Sequence, residues 1–177
     1  MNTLVVYESM YGNTHEIASQ LAAGFQTGGD VKVVPVGNVE AQLVDWADLV
    51  VVGGPTHAHG MTSSASRKSA YEATKKPDSA LTLDPDAAGP GLREWLNGME
   101  PAAGKQAAAF DTRVDAPALV TGRASRGIAK RLRQHGFQVV AEPESFLVTK
   151  DNRLVEGETV RAVEWAASVL TAMSASR

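Results

Sequence analysis

Six consecutive residues, Ser9-Met10-Tyr11-Gly12-Asn13-Thr14, gather three hydroxyls, an amide and a glycine into one short turn. An apolar run stops at Glu8 just before them, and a helical pattern starts at Thr14. A helix that begins there presents unpaired N–H groups and the positive end of its dipole. Gly12 lets the backbone turn tightly and approach a ligand with no Cβ in the way. The side chains of Ser9, Asn13 and Thr14 add hydrogen bonds, so the turn suits a terminal phosphate and needs no lysine. The same residues equally suit a plain helix start, with Thr14 as cap and Gly12 relieving the turn. Two nucleotide motifs are excluded on detail. A Walker A loop requires G-x-x-x-x-G-K-[ST]; Gly122 to Gly127 has the glycine spacing but continues as Ile128-Ala129. No G-x-G-x-x-G occurs anywhere in the chain.

Further along, Gly53-Gly54-Pro55 clears space, and Thr56, His57, Ala58, His59, Gly60 and Met61 can wrap a flat ligand with backbone amides and carbonyls. Phe110-Asp111-Thr112-Arg113 offers a carboxylate to accept from a ring N–H and a guanidinium to offset negative charge. His57-x-His59 supplies two imidazoles, too few for a catalytic metal site unless a third ligand joins them, so no metal is expected. The tryptophans Trp46, Trp95 and Trp165 stand among apolar positions and read as packing residues.

The elements that must position these turns are legible as patterns. Thr3–Tyr7, Val31–Val36, Leu49–Val52 and the tract 138–148 are short apolar runs marked by β-branched residues, and the less β-like Lys105–Phe110 is a candidate fifth. Apolar runs without alternation point to strands buried on both faces of a parallel sheet. Pro143 predicts a break or bulge in the last tract. Helical periodicity marks Ile17, Leu21 and Phe25; then Leu92, Trp95, Leu96 and Met99; then Ile128 and Leu132, ended by Gly136; and finally Val160, Val163, Ala167 and Leu170. Strand and helix alternate, which implies a doubly wound α/β sheet with its ligand beyond the carboxyl ends of the strands. Residues 60–89 read as one long irregular segment, and 151–157 as a turn.

The chain has 177 residues, 44% hydrophobic and 21% charged, and is expected to form one domain, 1–177. Its net charge of −3 argues against a nucleic-acid partner, and cysteine is absent, which removes disulfides and thiolate ligation. No segment has the composition of a signal peptide or a bilayer span, so a cytoplasmic protein with no membrane partner is expected.

Ser9-Met-Tyr-Gly-Asn-Thr14, Gly54-Pro-Thr-His57 and Phe110-Asp-Thr112, in that order, resemble the three FMN-binding loops of the flavodoxin family. The first is also similar to the phosphate loop of flavodoxin-like NAD(P)H:quinone oxidoreductases. The resemblance implies a flavodoxin-like fold, α/β with a five-stranded parallel sheet in the order 2-1-3-4-5, helices on both faces and FMN at the switch point. By the same resemblance, Ser9, Met10, Tyr11, Gly12, Asn13 and Thr14 would hold the phosphate. Pro55, Thr56, His57, Ala58, His59, Gly60 and Met61 would line the isoalloxazine, and Asp111 and Thr112 its pyrimidine edge. The chain departs from the family in two ways. No Tyr or Trp follows Asp111 to stack on the ring, and Arg123, Arg126, Lys130, Arg131 and Arg133 make one helix basic where flavodoxins are acidic.

The function implied is electron transfer by bound FMN, with a redox partner protein and no catalytic residue of the chain's own. The alternatives are an FMN-dependent NAD(P)H:quinone oxidoreductase, which would add NAD(P)H or a quinone as partner, and a flavodoxin-shaped interaction module without cofactor. A signalling receiver domain would need an aspartate at the end of the third strand, where Gly53-Gly54 stands.

Overall fold

Apolar residues in the central strands divide by parity between two helical layers. In the computed structural model, which describes residues 1–175, strand β1 (Asn2–Tyr7) sends Leu4 and Val6 to one face and Val5 and Tyr7 to the other, all nearly inaccessible to solvent. The chain continues through α1 (Asn13–Phe25), β2 (Asp30–Pro35), α2 (Ala41–Trp46), β3 (Leu49–His57), β4 (Gly60–Met61), α3 (Ser64–Thr74) and α4 (Leu92–Asn97). It ends with β5 (Gln106–Val114), α5 (Ala118–Thr121), α6 (Ala124–Gln134), β6 (Gln138–Val139), β7 (Glu144–Val148) and α7 (Glu158–Ala175).

The sheet runs β2-β1-β3-β5, and the fifth position is shared by β6 and β7, both parallel to β5. This is the expected 2-1-3-4-5 order, with the last strand split in two ahead of β7 by the segment holding Pro143. The seven-strand total comes from that split and from two-residue β4, which folds back antiparallel on β3.

On one face, α1 and α7 cover Val5, Val51, Ala108, Phe110 and Phe146; on the other, α4 and α6 cover Leu4, Val6, Val50, Val52, Ala107 and Ala109. Ile17, Ala18, Leu21 and Phe25 form the inward stripe of α1. Ile128, Ala129 and Leu132 form that of α6. Helix α7 differs from the sequence expectation. Ala162, Ala166, Val169 and Met173 are its buried apolar residues, while Val160 and Val163 face outward, 61% and 37% exposed. Small residues set this contact, because Gly24 of α1 lies so near α7 that a Cβ there would come within 2.7 Å of the Ala166 methyl.

Two further differences bear on the site. Residues 60–89 are not wholly irregular, since β4 and α3 occupy their first half. Ser63 and Ser66 cap α3 reciprocally, each side chain accepting from the other's backbone N–H. In addition, β3 and β5 run past Val52 and Phe110, pairing Gly54 with Asp111 and Pro55 with Thr112. The glycines therefore clear space for core side chains rather than for a ligand. A Cβ on Gly53 would lie 2.2 Å from the Phe110 ring, and one on Gly54 would lie 2.6 Å from Leu92 Cδ1.

Overpacking a tight core costs about 1–3 kcal/mol. Gly53→Ala should lower the unfolding free energy by that amount, read as a lower midpoint of urea unfolding with an unchanged slope. An unaltered midpoint would show that Phe110 has room to move.

Candidate functional site

At the carboxyl edge of the sheet, the segment between β1 and α1 forms a turn closed by Ser9, whose Oγ accepts the Gly12 N–H at 3.1 Å. Gly12 is the N-cap of α1 and holds φ at 94°, a left-handed conformation unfavourable for any residue with a Cβ. Its own side is open, with Asp84 Oδ2 the nearest atom to a Cβ built there, at 3.9 Å. No side chain caps α1, so its leading N–H groups keep the partial positive charge of a free helix start.

Helix α6 begins at the same edge in the opposite condition. Thr56 Oγ1 accepts from the Ala124 N–H at 2.8 Å, and Asp111 Oδ2 from the Ser125 N–H at 2.7 Å. Thr56 and Asp111 thus serve the start of α6, and Asp111 is fully buried.

A cavity of about 170 Å³ opens at this edge. Of the residues singled out from sequence, it is lined by Met10, Tyr11, Asn13 and Thr14 from the first turn, Pro55, Thr56 and His57 from the second, and Thr112 from the third. Arg113 joins them, and the lining contains no carboxylate. A second hollow of about 250 Å³ shares Thr56, His57, Arg113 and Val114 with the first and is completed by Ala58, His59, Val120 and Thr121.

Several side chains in the first cavity already bond to one another. Thr14 Oγ1 and Thr112 Oγ1 are 2.7 Å apart, which joins the first and third turns. Asn13 Nδ2 donates to Asn152 Oδ1 at 2.8 Å. Tyr11 donates its hydroxyl to the Ala70 carbonyl at 3.0 Å, and partial burial raises its pKa.

The remaining candidates lie elsewhere. Ser9 and Gly12 shape the turn without lining the cavity, Gly60 pairs with His57 in the β3–β4 hairpin, and Met61 is buried against the core. Asp111 lies behind the cavity wall rather than in it. His15 does not approach His57 and His59. It stacks on Tyr7 with ring centroids 4.5 Å apart, and its Nδ1 is 3.2 Å from Asp84 Oδ2. Burial and the hydrogen bond to Asp86 raise the Tyr7 pKa.

Sequence reasoning missed Thr62, Ser66 and Ala70, which α3 and its approach bring to the cavity, and Asn152, which the turn before α7 brings there. Asp151-Asn152 is a turn signal, but only the fold puts that turn beside Asn13. Glu8 also gains a role. Its buried carboxylate accepts from the Leu92 N–H at 2.8 Å and from the Thr62 hydroxyl, with Arg67 Nη1 at 3.8 Å. These bonds clip together the two ends of the segment that covers the site.

The family model for flavodoxin matches residues 5–110. No curated protein sequence matches the chain. Among solved structures, the chain is similar to a flavodoxin from Streptococcus pneumonia TIGR4, with a TM-score of 0.66 and 17% identity over 97% of this chain and 99% of that one. It is similar to oxidised flavodoxin 1 from Bacillus cereus, with a TM-score of 0.65 and 18% identity over 97% and 98%. It also resembles part of the rubredoxin oxygen:oxidoreductase of Desulfovibrio gigas, with a TM-score of 0.62 and 22% identity over 98% of this chain and 36% of that one. Among the described residues, no helix is long and apolar enough to cross a membrane.

Burial is the main influence on Asp111 and pushes its carboxyl pKa up, against the pull of the Ser125 N–H and the Arg123 charge. The folded protein therefore holds this proton more tightly than the unfolded chain does. Stability falls as pH rises from the unfolded carboxyl value, about 3.9, through the folded one, and is level above it. Asp111→Asn keeps an acceptor for the Ser125 N–H and removes this dependence. Its advantage over the parent in thermal unfolding should grow from pH 3.5 towards neutrality. A constant difference across that range would show that Asp111 titrates normally.

Proposed function

The chain belongs to the flavodoxin family, and from that premise we propose that it binds one FMN non-covalently and carries electrons between proteins. The observation that carries this reading is the convergence of three turns on one carboxylate-free cavity at the uncapped start of α1. The donor set fits a phosphate monoester. The leading N–H groups of α1 and the side chains of Asn13 and Thr14 supply hydrogen, and Arg113 contributes the positive charge in the lining. The adjoining hollow, walled by His57, Ala58, His59 and Val120, suits a flat ring continuous with the phosphate cavity.

FMN, when bound, supplies the one- and two-electron chemistry. The residues of the chain hold and orient it. Thr14 and Thr112, already joined, keep the first and third turns at fixed separation. Pro55 and Thr56 set the direction of the second turn through their pairing in and beside β3. His57 is exposed at the junction of the two hollows.

The reading is checked by titrating the purified protein with FMN and following quenching of flavin fluorescence, with riboflavin in parallel. FMN should bind and survive gel filtration, and riboflavin, lacking the phosphate, should bind at least tenfold more weakly. Asn13→Asp places a carboxylate in the cavity and should weaken FMN by roughly 10–100-fold, about 1.4–2.8 kcal/mol. Equal affinity for the two flavins would overturn the phosphate assignment. Rapid oxidation of NADPH by the FMN-loaded chain and a quinone, with no reductase present, would overturn the carrier in favour of the oxidoreductase.

A further inference from the structure

We propose that the exposed apolar tip of α5 and the basic stripe of α6 together form the docking surface for a small acidic electron-transfer protein. The inference rests on the carrier reading above and specifies its partner. Leu119 is 95% exposed and Val120 64%, the two most exposed large apolar side chains of the described residues. They sit on a four-residue helix beside the ring-side hollow, which Val120 itself lines. A partner seated on Leu119 and Val120 therefore abuts the place assigned to the flavin ring.

Charge selects the kind of partner. Residues 114–133 hold five cations and one carboxylate, Asp115, in a chain of net charge −3. Two of the cations are committed to structure. Arg123 donates to Ser145 Oγ at 3.0 Å and to the Pro143 carbonyl, and Arg131 donates to Asn97. The other three, Arg126, Lys130 and Arg133, are exposed and pair with no carboxylate among the described residues. Their i, i+4, i+7 spacing puts them on one face of α6, in a stripe about 10 Å long that starts next to α5.

An apolar centre flanked by unpaired charge of one sign is suited to steered, reversible encounter with a surface of the opposite sign. A second copy of this chain fits poorly, because a two-fold contact would set the stripe against itself. A membrane also fits poorly, since interfacial helices bury a long apolar face and α5 offers two side chains.

The test uses a plant-type [2Fe–2S] ferredoxin as an acidic probe and a basic c-type cytochrome as control. Amide spectra of the ¹⁵N-labelled chain are recorded at low salt, with and without added FMN. Ferredoxin should perturb signals in residues 114–133, with its Kd rising about tenfold between 10 and 200 mM salt. The charge reversals R126E, K130E and R133E together should weaken it at least tenfold more. L119S, which alters no charge, should weaken it at both salt concentrations. All four positions are exposed, and unchanged circular dichroism will confirm that the variants fold. Perturbation elsewhere, equal binding by the reversed variant, or preference for the cytochrome would overturn the proposal. So would binding to phosphatidylserine vesicles as strong as binding to ferredoxin. If FMN binds and ferredoxin does not, this surface fails while the carrier reading stands. If ferredoxin docks here and FMN never binds, the surface is supported and the carrier reading falls.

Discussion

The start of α1 is the constraint around which the rest of the carboxyl edge is arranged. A helix N-terminus must satisfy its leading N–H groups, and the usual solution is an acceptor side chain at the cap. Here the cap is Gly12, which has none. At the same edge of the sheet, on the other face, α6 solves the same problem internally, taking Thr56 and Asp111 from the two central strands. One helix start is thereby closed by the protein's own side chains, and the other is not, which is the ground of the phosphate proposal above. The lining of the cavity beside α1 contains no carboxylate.

Keeping that place shaped falls to groups that never enter it. Glu8, the last residue before the Ser9–Thr14 turn, binds Thr62 at one end of the covering segment and Leu92 at the other. Arg67 stands between Glu8 and Glu94, and hydrogen bonding to it holds the Glu94 pKa below the usual range. Glu94 is partly exposed, so the firm part of this anchor is the buried Glu8 carboxylate with its Thr62 and Leu92 partners. The far end of the segment is fastened to the Ser9–Thr14 turn as well. The Asp84 N–H donates to the Met10 carbonyl at 2.8 Å, and Tyr7, His15, Asp84 and Asp86 form one connected group beneath it.

Most strands and the first turn were legible because both rest on local signals: apolar, mostly β-branched runs for the strands, and a strand-to-helix switch through a glycine for the turn; the sheet order came from the family resemblance. Asp111 shows where such signals stop. Its position after a strand was plain, but its acceptance of the Ser125 N–H depends on how α6 returns to the sheet, which no local pattern encodes. The second turn was misread for a related reason. Gly53 and Gly54 look like loop residues, yet they continue β3 because Phe110 and Leu92 fill the space that their missing side chains leave. The face of α7 failed by another route. Hydropathy favours Val160 and Val163, whereas close approach to Gly24 selects alanines. Asn152 reaches Asn13 across 139 positions of sequence, a partnership only the tertiary fold creates.

The turn linking β3 to β4 joins these threads. Ala58 and His59 both have positive φ, 46° and 71°, as a two-residue hairpin with this twist requires. Neither is glycine, so each bears about 1–2 kcal/mol of conformational strain. That geometry must be held from outside, and Gly122 does so. It bridges to His59 so closely that a Cβ on Gly122 would lie 2.3 Å from the His59 carbonyl oxygen. Gly122 also joins α5 to α6. The residue that clasps the β3–β4 turn therefore also links the apolar tip to the basic stripe. A displacement of α5 would act on His59 through a contact with no slack, so the hollow lined by Ala58 and His59 and the outer surface share a mechanical part.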